Sequence, residues 1–228
     1  MFVNLRIGLI TLCMLVAGRF AFAQDDTATS QPAAAPASSS YDGPWWTWPK
    51  ATGNWAEART ALENKGIKFE MDITQIFQNN AYGGESTKNG SRYSGSGDIT
   101  LTMDTHKMGL WPYGTIVVNG EPKWGNGINS KTGALLPVNF DATKPGDDSC
   151  MMALSEWFLI QGIYQGALGK AAIIIGKVDL ARAFDTNVFA NDERTQFMNV
   201  GLRNDPQLGQ VVGYTPLAVS LVYLPTDW

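Results

Sequence analysis

The chain has 228 residues, a formal net charge of −4 and a hydrophobic share of 44%. A mildly acidic balance gives a nucleic-acid partner no electrostatic support. One histidine and two cysteines cannot build a metal cluster, and nothing in the sequence ties His106 to Cys150 as a catalytic pair.

The start of the chain has the pattern of a secretory signal over 1–23. A short n-region, 1–6, carries one positive charge. The apolar stretch 7–18 is too short to span a bilayer as a helix, and Ala21-Phe22-Ala23 supplies the small-x-small cleavage pattern before Gln24. Cys13 lies inside the apolar stretch and so makes a poor lipoprotein site. Cleavage would leave Cys150 alone, so no intrachain disulfide is expected. Residues 24–52 are rich in Ala, Pro, Ser and Thr, and read as an extended linker unable to bury a core. That stretch ends in an aromatic patch, Trp45, Trp46 and Trp48. Across 53–66 the pattern turns helical: Trp55, Arg59, Leu62 and Glu63 share a side, alanines support the helix, and Gly66 is placed to end it.

From residue 67 the period becomes two. Ile67, Phe69, Met71 and Ile73 alternate with Lys68, Glu70, Asp72 and Thr74, which is a strand with one oily and one wet face. A second strand sets Ile99, Leu101 and Met103 against Asp98, Thr100, Thr102 and Asp104. A third, over 115–121, sets Ile116 and Val118 against Thr115, Asn119 and Glu121. A fourth is expected near 153–162 and a fifth over 171–179. Both alternate poorly, and their faces stay unassigned. The sixth, 214–224, sets Leu217, Val219, Leu221 and Tyr223 against Ala218 and Ser220.

The connections alternate between long (79–93, 122–152, 180–213) and short (105–114, 163–170). An antiparallel transmembrane β-barrel favours that alternation, with short periplasmic turns and longer outer loops. Trp111, Tyr113, Tyr164, Tyr223 and Trp228 fall at the short-turn ends, where one aromatic girdle belongs. Phe77 and Trp124 fall near the other end. No later apolar run is long enough for a membrane-spanning helix. Six strands over 67–228 would leave an open edge in lipid, with unpaired backbone groups at several kcal/mol each. The chain therefore reads as the N-terminal part of a larger barrel, all-β apart from one short helix.

Three motifs resemble one family. Gly53-x-Trp55-x-x-x-Arg59-x-x-Leu62-x-x-x-Gly66-Ile67 is similar to the entry of the carbohydrate-selective outer-membrane porins, the OprB family. Gly109-x-Trp111-Pro112-x-Gly114-Thr115 resembles that family's first periplasmic turn. Gly176-Lys177-Val178-Asp179, with Phe184-Asp185-x-Asn187-x-Phe189-Ala190-Asn191-Asp192-Glu193-x-Thr195-Gln196-Phe197, resembles its fifth strand and the loop after it. Glu57-Ala58 departs from the small residues that often precede the Arg. The resemblance covers 53–228, the N-terminal half of a barrel of around sixteen strands. It implies passive, sugar-selective diffusion through a water-filled pore and a third outer loop folded inward to narrow it.

Strand parity and that resemblance together nominate the pore lining. Glu70, Asp72, Asp98 and Thr100 come from parity, extended to Lys177 and Asp179 on the fifth strand. Arg182, Asp185, Asn187, Asn191, Arg194 and Arg203 come from the loop, whose side chains offer the planar donors and acceptors that sugar hydroxyls need. Arg182 and Arg194 are the candidates for the constriction, and Asp192 also stands where it would cap a helix over 193–199. The expected partners are outer-membrane lipid and small carbohydrates, with no cofactor, no metal and no catalytic residue; a homo-oligomer stays open. Three other readings fit less of the pattern: a small general barrel of eight strands, a secreted sugar-binding β-sandwich using Trp45, Trp46 and Trp48, and a glycoside hydrolase. The carboxylates a hydrolase would need, such as Glu70 and Asp72, are already explained by lumen-facing alternation.

Overall fold

The computed structural model describes residues 14–15, 41, 43–139, 149–166, 169–180, 189–190, 194–203 and 215–225. A single sheet holds all of its strands. These are β1 (Met14–Leu15), β2 (Ile67–Asn79), β3 (Ser91–Asp104), β4 (Gly114–Gly125), β5 (Ser149–Gly166), β6 (Gly169–Lys177) and β7 (Leu217–Pro225). Their spatial order is β1-β7-β6-β5-β4-β3-β2, and β2 to β7 form an antiparallel meander. The six expected strands are β2 to β7. Among the described residues β2 and β7 do not pair with each other, so the sheet is open and is neither a sandwich nor a closed eight-stranded barrel. On β7's outer edge, Met14 and Leu15 pair in parallel with Leu221 and Val222.

Strand lengths correct the expected loops. β2 runs on to Asn79 and β3 begins at Ser91, so the first long connection shrinks to 80–90. The later long connections, 126–148 and 178–216, keep their contrast with the two-residue connection between β5 and β6. One end of the sheet, the turn end, carries 105–113 and the connection after β5; the other is the loop end.

Registers sort the side chains onto two faces. Phe69 lies opposite Leu101 and Met71 opposite Ile99, while Glu70 lies opposite Thr100 and Asp72 opposite Asp98. Leu101 then meets Val118, and Thr100 meets Asn119. The parity expected from sequence therefore holds across β2, β3 and β4, giving one apolar and one polar face.

β5 explains why its own faces were illegible. Asn119 pairs with Glu156 but Gly120 pairs with Leu154, leaving Ser155 as an extra residue. A β-bulge of this kind moves every later side chain to the other face. On the loop-end side of Ser155, Met152 and Leu154 lie on the apolar face; on the turn-end side, Trp157 and Leu159 do. A second irregularity falls at Ile163, between Gly162 and Tyr164. The bulge is held from within: Ser155 Oγ donates to Asn119 Oδ1 at 2.7 Å and lies 3.1 Å from the Asn119 carbonyl.

Aromatic residues mark both ends of the apolar face. Trp111, Tyr113, Tyr164 and Tyr223 are exposed at the turn end, and Phe77 and Tyr93 at the loop end. Trp124 lies against Gly95, where a Cβ would come within 2.3 Å of the indole ring; only glycine leaves that ring room.

The N-terminal helix is shorter than expected. Helix α1 spans Ala58–Asn64, and Trp55, Ala56 and Glu57 before it form a left-handed turn with φ of 53°, 52° and 72°. Left-handed backbone costs a non-glycine residue about 1–2 kcal/mol, so the turn needs an anchor, and Arg59 supplies it. Its Nε donates to the Gly53 carbonyl (3.2 Å), Nη1 to the Phe69 carbonyl (3.0 Å) and Nη2 to Thr52 Oγ1 (3.0 Å). The guanidinium also stacks 4.2 Å from the centre of the Trp55 ring, and Trp55 packs on Phe69. The Gly53, Trp55 and Arg59 of the motif thus fasten α1 to the first residues of β2.

Candidate functional site

The polar face is built by β2, β3 and β4 and completed by β5. Glu70 sits opposite Thr100 and pairs with Lys68 at 3.0 Å and Lys50 at 3.7 Å. Asp72 and Asp98 face each other directly. Like charges in that position repel, and Arg194 Nη1 lies 3.7 Å from Asp72 Oδ1. Asn119 Nδ2 donates to Thr100 Oγ1 at 2.9 Å, so Thr100, Asn119 and Ser155 form a hydrogen-bonded rung across three strands. Of the nominated lining, Glu70, Asp72, Asp98 and Thr100 are brought together here.

Three polar residues on this face escaped the sequence reading. Lys123 is buried, pairs in register with Ser96 and lies 3.6 Å from Glu121. Its signal was present, since Asn119, Glu121 and Lys123 continue the period of two. Pro122 masked it, because a proline lacks the ladder N–H and argues against a central strand. The β3–β4 register has no partner for Glu121 or Pro122, and Pro122 meets only Met152. Glu156 and Ser155, both buried, were hidden by the bulge.

Two nominations on the fifth strand change. Lys177 pairs with Trp157 and with Leu217, on the parity of Ile173 and Ile175, and so belongs to the apolar side. Its Nζ turns to the backbone and donates to the Leu154 carbonyl at 2.7 Å, as a lysine at the margin of an apolar surface does. Asp179 lies beyond the end of β6, and its backbone N–H donates to Glu156 Oε1 at 2.9 Å. The polar face is also not polar throughout: Ala172, Ile174 and Val222 share its parity and are buried.

The loop after β6 reaches back over this face. Arg194 belongs to that loop, yet its partner Asp72 is on β2, with β5, β4 and β3 between. Gln78 Nε2, also on β2, donates to Met198 Sδ at 3.6 Å. Helix α3 (Val200–Arg203) follows, after α2 (Asn129–Thr132) in the preceding long connection. Asn199 caps α3, accepting the Gly201 N–H at 2.9 Å, so the helix lies beyond the expected 193–199. Arg203 is half-buried on α3. Arg182, Asp185, Asn187, Asn191 and Asp192 lie outside the described residues.

No family model matches the sequence. Over 131 residues the chain is 30% identical to an uncharacterized protein of Aquifex aeolicus (strain VF5), covering 55% of this chain and 40% of that protein. A high-pH structure of Pseudomonas putida OprB superposes with a TM-score of 0.56 at 22% identity, covering 72% of this chain and 37% of that one. The chain thus spans less than half the length of either protein. The class defined by the sheet and this likeness is that of a porin-like β-barrel wall.

Proposed function

We propose that the chain forms part of the wall of an outer-membrane channel that passes small polar solutes by diffusion, with carbohydrates as its preferred cargo. One observation carries the reading: a single sheet has an apolar face framed by aromatic residues and a polar face overlaid by a loop that delivers Arg194 to Asp72. The first face suits lipid and the second suits water. Asp72, Asp98 and Arg194 offer bidentate carboxylate and guanidinium groups to sugar hydroxyls. Arg182, Asp185, Asn187 and Asn191 belong to the same proposed constriction. The work is passage and not covalent chemistry. The proposed route to the outer membrane is the signal at 1–23, and the proposed partners are lipid and sugars, without nucleic acid.

The complete barrel that contains this wall, purified and placed in liposomes, tests this. A neutral monosaccharide is expected to enter faster than a zwitterion of similar size, and Arg194→Ala is expected to narrow the difference. Entry no faster than into protein-free vesicles would overturn the channel, and equal rates for the two solutes would overturn the sugar preference.

A further inference from the structure

Among the described residues, the three connections at the loop end are joined to one another by hydrogen bonds. Asn80 Nδ2, at the start of the 80–90 connection, donates to the Lys131 carbonyl at 3.0 Å, and the Glu85 N–H reaches the same carbonyl at 3.1 Å. Within the connection after β4, Asn129 and Asn139 hold each other: Nδ2 of Asn129 donates to the Asn139 carbonyl (2.9 Å), and the Asn139 N–H donates to Asn129 Oδ1 (3.1 Å). That connection meets the loop after β6 where the Val200 N–H donates to the Pro137 carbonyl at 3.0 Å.

One side chain touches both. Gln78, near the end of β2 and on the polar face, accepts from Asn139 Nδ2 at 2.9 Å and donates from its own amide to Met198 Sδ at 3.6 Å. Asn139 is fully buried, and Ile76 of β2, Ile128 of the connection after β4 and Val200 of the loop after β6 are buried as well. An amide that uses its acceptor on one loop and its donor on another is fixed at both ends. Replacing it would take the Gln78 acceptor away from the buried Asn139 amide and the Gln78 donor away from Met198, and a hydrogen bond lost at a buried group is costly.

We propose that Gln78 is a positioning residue. It locks the connection after β4 and the loop after β6 into one cap, and so holds Arg194 at Asp72 and sets the size limit of the opening. The proposal rests on the channel reading for its consequence, but the placement of the loop can be read without transport.

The test uses the full chain in lipid, with Cys13→Ser and Cys150→Ser as background and spin labels on Thr74→Cys and Thr195→Cys, next to the Asp72–Arg194 pair. Gln78→Leu keeps the bulk and removes both polar ends. The label-to-label distance is expected to be narrow with Gln78 and to broaden in Gln78→Leu. Trisaccharide flux, relative to monosaccharide flux, is expected to rise several-fold. Gln75→Leu, on the opposite face of the same strand, is expected to alter neither. An unchanged distance in folded Gln78→Leu overturns the proposal. Should Gln78→Leu fail to assemble, Val200→Pro replaces it. It removes the loop-to-loop N–H, at the first helical position, where proline is accepted, and keeps an apolar side chain at this buried position. Broadening then supports the cap and a narrow distance overturns it. Flux is read on the complete barrel that contains this wall: if that barrel does not conduct, the channel reading fails, while the distance measurement still decides the role of Gln78.

Discussion

β3 and β5 do the same task in different ways. Each is a long strand with two neighbours and must keep oily side chains on one face. β3 does so with one parity from Ser91 to Asp104, and its apolar members Ile99, Leu101 and Met103 can be read by counting. β5 does so with two parities joined at Ser155: Met152 and Leu154 on one side of the bulge, Trp157 and Leu159 on the other. The lesson is that a sheet conserves its faces and not its sequence period. Where a bulge intervenes, the apolar residues stay in place only because the pattern in the chain shifts by one.

The sharpest way to break this comparison is to place charge on both sides of the bulge. In a lipid-facing register, an arginine near the midplane costs about 2–4 kcal/mol. Leu101→Arg, Leu154→Arg and Leu159→Arg should all lower the folded fraction in membranes, seen as loss of the heat-modifiable band on gels. Thr100→Arg and Ala153→Arg should assemble. Damage at Leu159 without damage at Leu154 would refute the change of parity.

A smaller effect is expected at the rung that holds the bulge. Asn119 is buried and accepts from Ser155 while donating to Thr100. Asn119→Leu removes both side-chain hydrogen bonds of the rung, at about 0.5–1.5 kcal/mol each, and leaves Ser155 the backbone carbonyl at position 119. The urea midpoint should fall more than for Thr100→Val, which strands only one amide hydrogen. Equal midpoints would mean that the bulge holds itself without the rung.

The smallest effect lies at the other end of the comparison, where β2 is joined to α1. Arg59→Lys keeps the charge and loses the fork, so of its three hydrogen bonds about one survives, at roughly 1 kcal/mol for each lost. A modest loss of stability with unchanged sheet content should follow. A lysine as stable as arginine would show that the left-handed turn at Trp55 needs no fork.

The same contrast says what could be read in advance. β2, β3 and the first half of β4 were legible because their apolar residues alternate and nothing interrupts them. The place of Glu70, Asp72, Asp98 and Thr100 on one polar face follows from parity alone. Lys123 was lost to Pro122, which sits inside a central strand against the usual preference. Glu156 was lost to Ser155. Extending strand parity to the fifth strand puts Lys177 on the wet face, whereas its register puts it on the oily side, from which its flexible stem lets the ammonium reach the Leu154 carbonyl. The joints at Gln78, Asn80 and Asn139 have no local pattern at all, since each depends on a partner far along the chain.

The bulge also bears on how this chain should be aligned with its relatives. A protein that builds the same strand without the extra residue would match on both sides of position 155 only if a one-residue gap were opened there. An ungapped comparison would set oily positions against wet ones over half of β5 and count conserved geometry as divergence.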